Sequence, residues 1–212
     1  MNVADTDSQP SALDVVTAVV ASNSDIAAVR FVQYPPAQTF KEIQERKALT
    51  ADDELRRRLR HVDKTIREYV FSRREIADGL IGSVLSSLPA DNALAVTSRV
   101  TLADGRMSHI PMIDFQCRNN SENLAYLRSA MLRLDTAGGF LLVSGNSFHF
   151  YGLTLLAHED WVGFVGRSLL LEPLVDVRYL GHCLLDGFAS LRISRHSSSR
   201  RDAPVVVKEI LT

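Results

Sequence analysis

The sequence predicts an α+β fold: a mainly antiparallel sheet with helices on one side, preceded by an N-terminal helical region. Three observations lead there. Apolar residues recur every three or four positions between Leu55 and Leu88, the spacing of amphipathic helices. From Ala93 the spacing changes to alternation, the pattern of half-buried strands. Beyond that point the segments run strand, strand, helix, strand, strand, helix, strand, an order of hairpins and helices typical of α+β chains. The change of period divides the chain into an N-terminal strand and helical region, residues 1–92, and an α+β core, residues 93–212.

Each element has its own warrant. Ser11 and Asp14 form a capping pair ahead of LDVVTAVVA, a short buried helix. Ile26 to Tyr34 is apolar enough for a strand, and Pro35-Pro36 ends it. Leu55, Leu59, Val62, Ile66 and Tyr69 or Val70 make one apolar helical stripe, with Asp52, Asp53 and Glu54 at its dipole-favoured start. Ser72 and Glu75 form a capping box for a second helix carrying Ile76, Leu80, Val84 and Leu88, so residues 38–88 read as helical. LAVTSRVTL, a turn at Ala103–Arg106, and MSHIPMIDFQC read as a β-hairpin. Ser121 to Leu134 is a helix with Leu124, Leu127, Met131 and Leu134 on one side, closed by Gly138-Gly139. Phe140–Val143 and Phe148–Tyr151 are strands around a Ser144–Ser147 turn; His158–Leu170 is a helix with Trp161, Phe164 and Val165 inside; Ser190–Ser194 and Val205–Val207 are short strands.

Composition narrows the function classes. The 212 residues are 46% hydrophobic and 23% charged, which is globular rather than disordered. Lys plus Arg is 24 against 25 Asp plus Glu, a net charge of −1, so nucleic acid would be drawn by a local patch and not by a global field. Cys117 and Cys183 are too few for a disulfide framework, and the polar, acidic start does not read as a signal peptide; both point to the cytoplasm. No apolar run approaches the ~18 residues of a spanning helix. There is no GxxxxGK[ST] and no GxGxxG, His109 and His182-Cys183 lack zinc spacing, and Gly145-x-Ser147 lacks the second glycine of a nucleophile elbow. The arginines at 56–58 and 60 read as a solvated, salt-bridged face, and the tail 196–201 (HSSSRR) as either a solvated loop or a backbone contact to nucleic acid.

Three segments carry chemistry. In PMIDFQ, strand alternation puts Met112, Asp114 and Gln116 on one face; an acid there is either a hydrogen-bonded structural aspartate or a metal ligand or general base. In FLLVSGNSFHFYG, His149 and Tyr151 share a face beside a glycine-containing turn whose Ser144, Asn146 and Ser147 could cradle a phosphate; the alternative is an ordinary hairpin with a half-buried histidine. In EPLVDVRYLGHCLLDGFASLRIS, Asp176 ends an apolar run, and Arg178 and Arg192 suit phosphate contacts; the alternative is a capping aspartate with solvated arginines.

Taken in order, Ile113-Asp114-Phe115-Gln116, Ser147-Phe148-His149 and Val175-Asp176, followed by the arginine-bearing Leu191-Arg192-Ile193-Ser194, resemble the motifs of the archaeo-eukaryotic primase superfamily over roughly residues 93–208. The resemblance implies an RRM-like primase core and a primase-polymerase-like nucleotidyl transferase. Asp114 and Asp176 would be catalytic and would hold Mg2+ or Mn2+ on neighbouring strands, while Ser144, Ser147, His149, Arg178 and Arg192 would bind the phosphates of a nucleoside triphosphate. Single-stranded nucleic acid, and a helicase or other replication or repair protein, would be the partners, with no membrane. Gln116 stands where that family carries a second acid. It brings a carbonyl but no charge, so the resemblance implies either a single, weakly held metal ion, substitution by Glu172 or Asp186, or a nucleotide- or nucleic-acid-binding module of a larger assembly with little or no activity.

Overall fold

The computed structural model describes residues 9–35, 65–134, 138–195 and 202–210. Helix α1 (Ala12–Ser22) opens with the expected capping box: Ser11 Oγ accepts from the Asp14 amide, and the Asp14 carboxylate accepts from the Ser11 amide at 2.7 Å. It buries Ala12, Val15, Val16, Val19 and Val20. Strand β1 (Ile26–Tyr34) follows, as its apolar run predicts.

The next element departs from the helical reading. Residues 67–72 form strand β2 (Arg67–Ser72), antiparallel to β1 with Phe31 opposite Tyr69 and Val29 opposite Phe71. The run REYVFS satisfies helical spacing and alternation equally. Pairing with β1 decides it, because alternation buries Phe71 and half-buries Tyr69 while leaving Ile66 and Val70 exposed. The Ser72–Glu75 capping box is present and starts helix α2 (Arg73–Ala77). That helix is short: Gly79 takes φ +77°, and helix α3 (Leu80–Ser87) restarts out of phase. Ile81 is therefore buried where Leu80 was expected, and Leu80 is exposed. The stripe residues Leu55, Leu59 and Val62, the acids 52–54, the arginines 56–58 and 60, and the tail 196–201 lie outside the described residues.

The strands fall into two antiparallel sheets rather than one. In the first, β2, β1 and β3 (Ala93–Leu102) lie side by side. The far edge of β3 is shared end to end: residues 95–97 pair with β8 (Ser190–Arg192) and residues 99–101 with β4 (Met107–His109). β1 and β3, on either side of residue 92, are thus neighbours. The second sheet runs β5 (Met112–Asp114), β7 (Ser147–Gly152), β6 (Gly139–Ser144), β9 (Val205–Ile210). The second strand of the expected 93–117 hairpin is therefore divided. It leaves the first sheet after His109 and enters the second at Met112, because Pro111 has no amide to continue the ladder. The Pro111 carbonyl instead accepts from the Gly152 amide at 2.8 Å.

Helix α4 (Ser121–Arg133) crosses from β5 to β6, capped by Asn120 Oδ1 on the Asn123 amide at 2.8 Å. Helix α5 (His158–Leu169) buries Trp161, Phe164 and Val165 as its spacing required. Helix α6 (Val177–Asp186) was not anticipated: Asp176 caps its start and Gly187, with φ +73°, closes it. Two antiparallel sheets and these helices make an α+β fold, as the change of period indicated. Among the described residues no helix is long and apolar enough to cross a membrane.

Candidate functional site

The site grows from the β6–β7 hairpin. Ser144 pairs with Ser147 across a two-residue turn, Gly145-Asn146, in which Gly145 takes φ +67°, a conformation side chains resist. The turn is held from outside, since the Asn119 amide donates to the Asn146 carbonyl at 2.8 Å. Two residues beyond Ser147, His149 lies opposite Asp114 of β5, and Asp114 Oδ1 is 3.5 Å from His149 Nε2. The histidine is buried, while the carboxylate is about one-third exposed. Such a pair fixes the imidazole's orientation.

Arg192 enters from the other sheet. The register Val32–Ala95–Arg192 puts it on the face of β8 shared with Val32 and Tyr34 of β1. Its buried guanidinium donates to Ser144 Oγ at 3.2 Å, to the Asp202 carbonyl at 2.9 Å, and to the Ser194 carbonyl. The two sheets therefore meet along a seam in which Arg192 spans from β8 to β6.

Aromatic and thiol groups wall this seam. Burial pushes the phenols of Tyr151 and Tyr179 well above their usual range and the Cys183 thiol up to about 12, and the Asp114 charge adds to each rise. All three are thus neutral at physiological pH; Asp114 is the negative charge common to them, and at Cys183 Asp186 adds to the rise as well. Arg192 partly offsets the effect on Tyr151. The Tyr179 hydroxyl donates to the Ser190 carbonyl at 3.1 Å; the fully buried Tyr151 hydroxyl has no hydrogen-bond partner among the described residues. Strand alternation already placed Tyr151 on the His149 face, so its membership of the site was readable; Tyr179 and Cys183 come with α6.

Asp176 is not on a strand. It follows a single bridge between Phe115 and Val175, its amide 3.5 Å from the Asp114 carbonyl, so the backbones of the two acids are adjacent. Its side chain caps α6, with Oδ1 accepting from the amides of Arg178 at 3.0 Å and Tyr179 at 3.1 Å. Asp176 thus caps a helix that begins at Val177, while of the two arginines Arg178 is exposed, in the first turn of that helix, and Arg192 is buried. Gln116 turns its amide onto the Pro173 carbonyl at 3.0 Å. Glu172 is exposed beside Pro173, and Asp186 sits at the far end of α6, about 15 Å along the helix from Asp176 at 1.5 Å per residue.

Among the described residues the donor set is short of charge for a pair of divalent ions. Among the described residues no three acids, histidines or cysteines are grouped to hold a metal. Asp114 faces His149, one Asp176 oxygen already accepts two amides, and position 116 offers no charge.

The site thus sets a Ser-x-His hairpin against an aspartate on the adjoining edge strand. A family model described as archaeo-eukaryotic primase 1D-like matches residues 72–205, and the chain belongs to that family. No curated protein and no solved structure matches the chain.

Proposed function

We propose that this chain is a nucleotide- and nucleic-acid-binding module of the primase type, in which the seam between the sheets receives the phosphates of a nucleoside triphosphate. The carrying observation is the cross-strand Asp114–His149 pair beside the Ser144–Ser147 turn. An imidazole oriented by a carboxylate, two serine hydroxyls and a nearby guanidinium suit a phosphate's several acceptor oxygens. Single-stranded nucleic acid and a replication or repair assembly are the partners this reading proposes.

Family membership favours a second reading, metal-dependent nucleotidyl transfer with Asp114 and Asp176 as ligands for Mg2+ or Mn2+. Two carboxylates carry half the charge of two divalent ions, so this reading entails weak metal binding and feeble incorporation.

One set of measurements separates them. Nucleoside triphosphate binding is measured by calorimetry with and without manganese, and nucleotide incorporation on a single-stranded template, for the wild type, Asp114→Ala and His149→Ala. The binding-module reading expects metal-independent affinity that falls about tenfold in His149→Ala, the order of one charge-assisted hydrogen bond. Robust incorporation abolished in Asp114→Ala would establish the transferase reading; unaltered triphosphate affinity in His149→Ala would remove the phosphate pocket from this seam.

A further inference from the structure

Position 116 is where the resemblance expects an acid, and the structure gives its side chain a different task. Strand β5 runs on into Phe115 and Gln116, and both lie against residues 173–176. The Phe115–Val175 bridge, the Gln116 amide donating to the Leu174 carbonyl at 2.8 Å, and the Asp176 amide near the Asp114 carbonyl lace the two segments together. The Gln116 side chain adds a donation from Nε2 to the Pro173 carbonyl at 3.0 Å.

That acceptor selects the residue. The bond needs a donor on side chain 116. A carboxylate has only acceptors at neutral pH and would set a charge against the carbonyl oxygen. The segment held this way ends at Asp176, which caps α6 through the amides of Arg178 and Tyr179.

We infer that Gln116 is a positioning residue: its amide clamps Pro173 and thereby holds Asp176 beside Asp114 at the start of α6. It is a donor in its own right and not an acid that has lost its charge. The inference concerns the same seam as the proposed function but rests on neither the phosphate pocket nor a reaction there.

Three variants of the full chain test it. Gln116→Met keeps length without a donor, Gln116→Glu replaces the donor with a charge, and Gln116→Lys keeps a long donor; the wild type is the reference. Amide hydrogen exchange at Arg178 and Tyr179 reads the Asp176 cap directly, and manganese titration by calorimetry reads metal affinity. The clamp expects exchange to accelerate about fivefold in Gln116→Met, the effect of one lost neutral hydrogen bond, and more in Gln116→Glu. It expects Gln116→Lys to stay near wild type, with no gain in manganese affinity in any variant. A packing role would instead leave Gln116→Met protected, and a vacant ligand position would give Gln116→Glu tighter manganese binding with protection intact; either result overturns the inference. Gln116 is exposed at a strand end, so the variants are expected to fold, and thermal melts check this. Exchange needs no nucleotide: loss of triphosphate binding with this ranking intact would count against the phosphate pocket alone.

Discussion

His109 Nε2 lies 3.2 Å from His158 Nδ1, and this contact closes a chain of hydrogen bonds that begins at the Ala189 amide. That amide donates to Ser98 Oγ at 2.9 Å, and Ser98 Oγ lies 3.2 Å from His109 Nδ1. With one lone pair of Ser98 taken, its hydroxyl can donate to His109 Nδ1, which leaves His109 protonated on Nε2 and donating to His158. Ser98 also stands where the edge of β3 passes from β8 to β4, so the chain of bonds sits at the join of three strands. Trp161 stacks on the His109 ring at 4.4 Å.

This arrangement makes stability depend on pH. Burial, with the charges of His158 and Arg99 adding to it, pushes His109 down to about 4 from an ordinary 6.5. The unfolded chain therefore takes up a proton over a range in which the folded chain does not. The stabilisation is complete above about pH 6.5 and declines as pH falls toward 4, by roughly 3 kcal/mol in total. Denaturant titrations at pH 7.5, 5.5 and 4 measure this. His109→Gln, which keeps polar contacts without titrating, is expected to flatten the slope; an unchanged slope would place the acid sensitivity in other groups.

Arg73 closes the end of α1. Its guanidinium donates to the carbonyls of Asn23 at 2.7 Å, Ala21 at 3.0 Å, and Val20. These are the carbonyls a helix end leaves without partners, and no basic residue of α1 itself is available in its last turn. Arg73→Ala is expected to cost roughly 1.5–3 kcal/mol, the range for hydrogen bonds from a charged group. Arg73→Lys keeps the charge but not the fork, and should recover only part of that loss in the same denaturant titration.

Gly139 and Gly152 face each other at the end of the β6–β7 ladder. A Cβ on Gly139 would stand 2.6 Å from the Phe150 ring and closer still to the Tyr151 carbonyl; one on Gly152 would stand 2.8 Å from the Pro111 ring. Gly139→Ala is expected to destabilise the fold by about 1–3 kcal/mol through overpacking against backbone that cannot yield. Gly82→Ala, with open space around it, serves as the control. A midpoint for Gly139→Ala equal to that of the control would contradict the close approach.

Tyr151→Phe runs against the usual direction. Its buried hydroxyl lacks a hydrogen-bond partner among the described residues, so removing it relieves a desolvation cost. The variant should be as stable as the wild type or more stable, by up to about 1 kcal/mol. A marked loss of stability would mean that the hydroxyl is satisfied in solution, for example by water.

Much of this was legible in the residues. The Ser11 and Ser72 boxes, β1, the β6–β7 hairpin, and α5 with its Trp161, Phe164 and Val165 face follow from local chemistry that tertiary packing reinforces. The Asp114–His149 pairing is the product of two alternations, each readable, and of a register that no single segment encodes. Where reading failed, distant partners decided. REYVFS has either period and takes the strand because β1 lies beside it. Asp176 reads as an acid at a strand end until Gly187, eleven residues on, closes a helix behind it. The task of Gln116 depends on a carbonyl 57 positions away.

The passage of the chain from β4 through Ile110 and Pro111 into β5 has a consequence for how the molecule comes apart. Eight consecutive residues, Met107 to Asp114, belong to both sheets, and at their middle the Ile110 amide bonds to Ser98 in one sheet while the Pro111 carbonyl bonds to Gly152 in the other. Peeling either sheet away pulls directly on the rungs of its neighbour. The sheets are thus mechanically in series and share one melting event, so probes placed in each, such as Trp161 near β4 and a label at Asn146 on the β6–β7 turn, should report a single coincident transition.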